Sequence, residues 1–344
     1  MSILNRKLLR TIQATRGQFL ALVVIVTLGV VLYIGMTTAY YNLSRSQQQF
    51  YQDYGFADHT FQVVKAPESV VTRVEALPGV VKATGRIQKD VPIIKEGNER
   101  ITGRLTGYPL PMNNEVNRLH LLSGRQLDMQ NSGKVSVLVD PQYAQANRLT
   151  PGEDIELIAD GKKVTLAVSG TATSPEFVYP MKDAGSLFPE PERFGILMVS
   201  QLQAQQILGL PGQVNQILVD LAPGVDEKEI KQQIEKILAP YGNIASYPRK
   251  DQSSHVVLQA ELDGIQLFAR SIPFMFFLVA AAIQFIILTR LIRSQRLPIG
   301  VMKALGYNNR RIMWHYTAYG LAVSLVAANL GSGLGIGLAA VLNN

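Results

Sequence analysis

SIPFMFFLVAAAIQFIILTRLIRSQRLPIGVMKALGYNNRRIMWHYTAYGLAVSLVAANLGSGLGIGLAAVLNN, residues Ser271–Asn344, decides the fold. Ser271–Thr289 and Ile312–Asn344 contain no charged residue. Crossing about 30 Å of hydrocarbon takes about 20 residues at about 1.5 Å of helical rise each, so either stretch suffices. Between them, Arg290, Arg293, Arg296, Lys303, Arg310 and Arg311 stand with no acid. Lys and Arg accumulate on the cytoplasmic side of membrane proteins, so this connector is predicted to be cytoplasmic.

Working outward, a third uncharged stretch, Gly17–Tyr40, follows Arg6, Lys7, Arg10 and Arg16. It is longer than the apolar part of a signal peptide and has no A-x-A-type cleavage site after it, so it reads as an uncleaved signal anchor. The predicted fold class is a membrane protein with three transmembrane α-helices (17–40, 269–292 and 315–342) and a large α+β extracytoplasmic domain. The remaining segments are a basic cytoplasmic N-terminus (1–16), the extracytoplasmic region (41–268) and a cytoplasmic loop (293–314). The two basic segments place the N-terminus inside and the C-terminus outside. Tyr40, Tyr41, Trp314, Tyr316 and Tyr319 fall where interfacial aromatics belong.

The formal net charge of +7 does not indicate nucleic acid, because the excess flanks the spans. Residues 41–270 hold 23 basic residues and all 26 acidic ones. With no cysteine there is neither a disulfide framework nor thiol chemistry.

The extracytoplasmic region alternates strand-like and helix-like patterns. Thr60–Val64, Glu68–Leu77 and Val80–Ala83 read as strand, helix and strand. The order returns at Gln216–Asp220, at a helix capped by Asp226 with Glu229 three residues on, and at Ile244–Tyr247. Ile230, Ile234 and Ile237 are the apolar stripe expected of that helix. The two β-α-β units form a split subdomain assembled from distant sequence, with a strand-rich insertion between them.

In the insertion, Val135–Val139 is strand-like, and Asp140-Pro141 starts a short helix as N-cap and N1. Asp154–Ile158 and Lys163–Ser169 form a hairpin about Asp160-Gly161. Ile196–Val199 then leads to a helix capped by Ser200. The proline-rich stretch Thr173–Pro191 is expected to be an exposed excursion. Tyr41–Tyr54 extends the first span, and Leu258, Leu262, Ile265 and Ala269 make a heptad-like seam before the second. Together they read as a short helical stalk or as ordinary surface helix.

Chemistry-bearing motifs are missing. No phosphate-binding G-x-x-x-x-G-K-[ST] loop and no G-x-S-x-G elbow occurs. His59, His120, His255 and His315 lack metal-ligand spacing. No catalytic, cofactor or metal site is assigned. Gln284 is the only strongly polar residue inside the second span, which argues against an ion pathway. Gly331, Gly333, Gly335 and Gly337 make two interleaved G-x-x-x-G patterns, predicted to pack on another helix.

The connector decides the function. Pro298 suits the first position of a short helix and Gly306 its stop, with Ile299, Met302 and Leu305 as an apolar edge. Such a helix serves either as an interfacial foot or as a knob for a cytoplasmic partner. A basic residue followed by I-G-[VIL]-[LM]-[KR]-A-[LI]-G between two spans resembles the FtsX-like permease family of ABC transporters. Here 269–344 corresponds to part of the permease domain, and 41–268 to a MacB-like periplasmic core.

That resemblance implies that Ile299, Gly300, Val301, Met302, Lys303, Ala304, Leu305 and Gly306 form a coupling helix contacting a cytoplasmic ABC ATPase subunit. It also implies a cell-membrane location, a second permease copy or homologue, and relay of ATPase motion to the outer domain. Pro298 stands where family members carry an acidic or polar residue. Family permease units have four spans, so three suggest a truncated or split product or the first part of a longer one. Two other readings stay open: a regulator activating an extracellular cell-wall hydrolase, and a membrane-anchored adaptor without an ATPase.

Overall fold

The computed structural model describes residues 3–95, 100–127, 134–182, 185 and 188–342. Helix α1 (Ile3–Ala14) is followed by α2 (Arg16–Asp53), which contains the first apolar stretch. No proline interrupts α2, and its polar continuation after Tyr40 stays helical to Asp53. Strand β1 (His59–Pro67), helix α3 (Ser69–Glu75) and strand β2 (Val80–Arg86) make the first β-α-β unit.

The insertion comprises β3 (Gln88–Ile94), β4 (Arg100–Tyr108), β5 (His120–Gly124), β6 (Val135–Val139), α4 (Pro141–Ala146), β7 (Asp154–Ala159), β8 (Lys162–Thr173), β9 (Phe194–Ser200) and α5 (Gln201–Ile207). The second unit is β10 (Gln213–Leu221), α6 (Glu227–Leu238) and β11 (Asn243–Pro248). Helices α7 (Ser253–Ser294), α8 (Arg296–Ala304) and α9 (Asn309–Leu342) complete the chain. Three helices, α2, α7 and α9, are long and apolar enough to cross a membrane.

The chain divides into two compact units, Gln47–Ala260 and the combined segments Met1–Ser46 and Glu261–Asn344. In the Gln47–Ala260 unit, β11-β1-β10-β2 form an antiparallel sheet, the β-α-β-β-α-β arrangement in which the insertion parts the two halves. Phe61, Val63, Ala83, Ile217 and Val219 on one sheet face pack with Val70 and Val74 of α3 and Ile230, Ile234 and Leu238 of α6. Asp226 caps α6 as expected, its Oδ1 accepting from the N–H groups of Lys228 and Glu229. The stripe, however, closes on Leu238; Ile237 lies at its margin. The four-residue step from Ile234 keeps Leu238 on the inward face, whereas the three-residue step turns Ile237 aside.

In the insertion the strand order is β5-β8-β6-β9-β4-β3-β7, and β7 pairs back on β8. The pairings therefore run as a closed ring β8-β6-β9-β4-β3-β7, a small barrel with β5 appended, which leaves few free edges. Asp160 and Gly161 take φ of 47° and 71°, the positive values a two-residue hairpin turn needs. Asp140 caps α4 through Tyr143 N at 2.8 Å and also accepts from Ile196 N at 2.7 Å, joining α4 to β9. Burial pushes its carboxyl up to about 6 despite those bonds.

The proline-rich stretch is a correction. Residues Ser174, Pro175, Glu176, Phe177, Pro180 and Met181 are buried, not an exposed excursion. Phe177 joins a core cluster with Tyr108, Ile196 and Met198, and Glu176 meets the buried Arg86. Of the later half, the described residues 188–193 are exposed or half-buried.

We expect a Gln47–Ala260 fragment to be soluble and to unfold in one cooperative transition, because it holds its own cores. A calorimetric scan without such a transition would contradict this.

Candidate functional site

In the other unit, Leu22 and Val23 of α2 form a core with Tyr319, Val323 and Ala327 of α9, joined by Ile283, Ile287 and Leu288 of α7. The N-terminal segment is more than a basic tail. It is helix α1, whose Leu8 and Ile12 pack on this core, and Thr15 Oγ1 lies 3.2 Å from Tyr319 Oη. Gln284 sits against Gly320, where a Cβ would come within 2.0 Å of its Nε2.

Of the four closely spaced glycines Gly331, Gly333, Gly335 and Gly337, Gly331 and Gly335 abut α2. A Cβ at Gly331 would lie 2.6 Å from Val30, and one at Gly335 would lie 3.0 Å from Ile34. Gly333 and Gly337 meet nothing within 4 Å, so within the chain the close approach uses one of the two interleaved patterns.

Helix α8 spans nine residues, about 14 Å at about 1.5 Å each. It starts at Arg296 and not at Pro298, which occupies the third helical position. Proline fits there because the first N–H groups of a helix have no intrahelical partner. The C-terminus ends as expected at Gly306, with φ of 84°. Gly306 N–H donates to Lys303 O and Tyr307 N–H to Met302 O, both at 3.0 Å, the paired bonds of a Schellman stop. Tyr316 Oη donates to Gln295 Oε1 at 2.8 Å and ties the start of α8 to α9.

The apolar edge is also corrected. Ile299 and Met302 are half-buried, and the Lys7 ammonium lies 3.9 Å from Met302 Sδ. The exposed stripe is Leu297, Val301 and Leu305, at 83%, 54% and 71% exposure. These recur at four-residue steps, which keep one helical face, whereas three-residue steps drift across it. That spacing groups Leu297 with Val301 and Leu305 on one face, without saying which face is exposed. Gly300, Lys303, Ala304 and Gly306 are exposed. Lys7, Leu297, Pro298, Val301, Met302, Leu305 and Tyr307 line a groove of about 460 Å³, apolar except for Lys7.

His59 is buried, which lowers its pKa to about 4; His120 bonds Tyr54 Oη; and His255 Nδ1 lies 3.1 Å from Tyr51 Oη. Among the described residues, no three His, Asp or Glu side chains are grouped to hold a metal.

A family model described as the MacB-like periplasmic core domain matches residues 19–237, and one described as the FtsX-like permease C-terminal matches 270–344. The chain belongs to the FtsX/MacB-like ABC transporter permeases. Three solved structures illustrate the likeness. The extracellular domain of the noncanonic ABC-type transporter YknZ from Gram-positive bacteria is 14% identical over 56% of this chain and 98% of its own, with a TM-score of 0.38. The periplasmic region of MacB from Actinobacillus actinomycetemcomitans is 13% identical over 63% and 98%, with a TM-score of 0.38. A domain of a putative permease protein from Porphyromonas gingivalis is 14% identical over 60% and 97%, with a TM-score of 0.34. No curated protein matches. Permeases of this family are generally non-catalytic and normally work with a cytoplasmic ABC ATPase.

Proposed function

We propose that this permease subunit relays the motion of a separate ABC ATPase, received at α8, to the Gln47–Ala260 unit outside the membrane. The observation that carries this reading is the exposed stripe Leu297, Val301 and Leu305, which the chain's own residues leave uncovered. A helix tied to a span transmits a push better than a loose loop. Here the Tyr316–Gln295 bond ties the start of α8 to α9, and the Schellman stop closes its other end locally. Arg296 and Lys303 on the same helix favour an acidic rim on the partner. Helices α2 and α7, the latter with Pro273 inside it, each hold residues of both units, so the chain passes between them along these two helices.

Introducing Asp at Leu305 or Val301 buries an unpaired charge whenever the partner covers the stripe, at a cost of several kcal/mol. Since coupling energies are typically about 1–3 kcal/mol, that cost is enough to separate the partners. With the cognate ABC ATPase co-expressed, Leu305→Asp and Val301→Asp should each abolish co-purification. Membrane insertion and yield should stay normal, because the side chains are exposed in the lone subunit. If both variants retain the ATPase, the coupling assignment fails and the adaptor reading takes its place.

A further inference from the structure

Helices α3 and α6 cover only one face of the β11-β1-β10-β2 sheet. On the other face, register sets Ala245, Gln62, Gln216 and Arg86 side by side across four strands. An uncovered antiparallel face is normally a solvated polar surface. Here Gln62 and Gln216 of that row instead line a cleft of about 640 Å³, a size that suits small ligands and peptide segments. The barrel contributes Lys89, Asp90 and Arg104 to the walls. The buried stretch after β8 contributes Phe177, Tyr179, Met181 and Lys182, and the chain entering α7 contributes Asp251–Ser254.

The cleft's groups divide into those already satisfied and those left over. Behind the cleft, Arg86 bonds Gln216 and Glu176, with its Nη1 unpartnered among the described residues, and Asp90 in the wall takes a bidentate bond from Arg104 at 2.7 and 3.0 Å. Asn215 clamps the backbone of Gln88 in both directions. These residues preorganise the walls. Left over are the Gln62 amide, which bonds no described residue, and the Lys89 and Lys182 ammonium groups, which form no ion pair among the described residues. One exposed carboxylate without an ion pair among the described residues, Asp251, stands against those two cations. Among the described residues the outer edge of β11 pairs with no strand, and its Ile244, 65% exposed, and Tyr247 line the cleft.

We propose that this cleft binds an extended peptide segment carrying acidic side chains. A free strand edge recognises peptide main chain, which a saccharide does not present. The Gln62 amide offers a donor and an acceptor to a peptide group, Tyr247 and Tyr179 offer flat apolar contact, and the two lysines match carboxylates. An acyl chain would leave the amide floor unsatisfied. The wall stretch is tied to the start of α7: Gln252 Nε2 donates to Glu176 O at 2.7 Å, and Tyr179 N–H to Ser254 Oγ at 2.9 Å. Occupancy thus bears directly on the residues from which α7 departs. The proposal does not depend on ATPase coupling.

The test uses the purified full chain in detergent and a fluorescein-labelled hexapeptide pool with two fixed glutamates, read by anisotropy. A lysine pool and unlabelled maltohexaose serve as the contrasting probes. The acidic pool should bind saturably and about tenfold or more tighter than the lysine pool. Lys89→Glu with Lys182→Glu should weaken it by about tenfold or more, and Gln62→Leu by several-fold, with unchanged melting curves. Equal binding of the two pools, or an unchanged affinity in the charge-reversal variant, overturns the proposal. Displacement of the acidic pool by maltohexaose overturns it in favour of a saccharide site.

Discussion

Replacing Arg86 with methionine is expected to lower the melting temperature of the outer unit by roughly 6–20 °C, from a loss of about 3–5 kcal/mol. The guanidinium and the Glu176 carboxylate are 1% and 7% exposed, so neither charge is solvated by water. Burial alone lowers the arginine's pKa, but the adjacent Glu176 and the Tyr108 ring reverse that, and the net direction is upward. Arg86 Nε also donates to Gln216 Oε1 at 2.6 Å, and the guanidinium lies 5.5 Å from the centre of the Tyr108 ring. Removing the cation alone leaves a buried carboxylate with only Ser174 Oγ, at 3.4 Å, as a donor among the described residues.

The paired replacement separates charge from packing. Arg86→Met combined with Glu176→Leu removes both ions and keeps side-chain volume, and such swaps are often neutral or stabilising. The double variant should therefore recover most of the lost melting temperature. A double variant as unstable as the single one would mean that the loss came from packing, and the ion pair would have no special part. The pair joins the last residue of β2 to the stretch that follows β8, so it bridges the split sheet and the inserted barrel.

That pair was illegible in the sequence, because its members stand 90 positions apart and nothing local marks either of them. What was legible is what local chemistry fixes. Asp226, Asp140 and Ser200 cap the helices expected of them, and Asp160-Gly161 turns the hairpin. The three long apolar helices were legible for a different reason: hydrocarbon demands a length and a composition that no soluble helix needs.

The strands that went unread, β3 to β5, show the limit. Gln88–Ile94 contains Pro92, and Arg100–Tyr108 contains two glycines, so neither looks like a strand by composition. Their strand state is imposed by pairing: β4 lies between β3 and β9, and β3 pairs on its other side with β7. The proline-rich stretch misled in the opposite sense, since its composition signals a loop but not where the loop goes. At the candidate site, the short helix and its Gly306 stop were legible, whereas the exposed face was not. Which side α8 turns to the protein depends on α1 and α9, and that is tertiary information.

Membrane orientation offers an all-or-none result. The chain contains no cysteine, so a single introduced thiol reports one position without background. Lys162 and Lys236 are exposed in the Gln47–Ala260 unit, and Asn308 is exposed between α8 and α9. Two segments rich in Lys and Arg and free of acid flank the apolar stretches, and such segments resist transfer across the membrane. Both are therefore expected to stay in the cytoplasm, which would send the 41–268 region outside. Lys162→Cys and Lys236→Cys should react fully with an impermeant thiol reagent in intact cells. Asn308→Cys should react only after permeabilisation, a control that separates a sheltered position from one buried by a partner. Labelling of Asn308→Cys in intact cells, with the other two silent, would invert the orientation. It would also remove α8 from the cytoplasm, and the relay with it, since no ATPase could then reach Leu297, Val301 and Leu305.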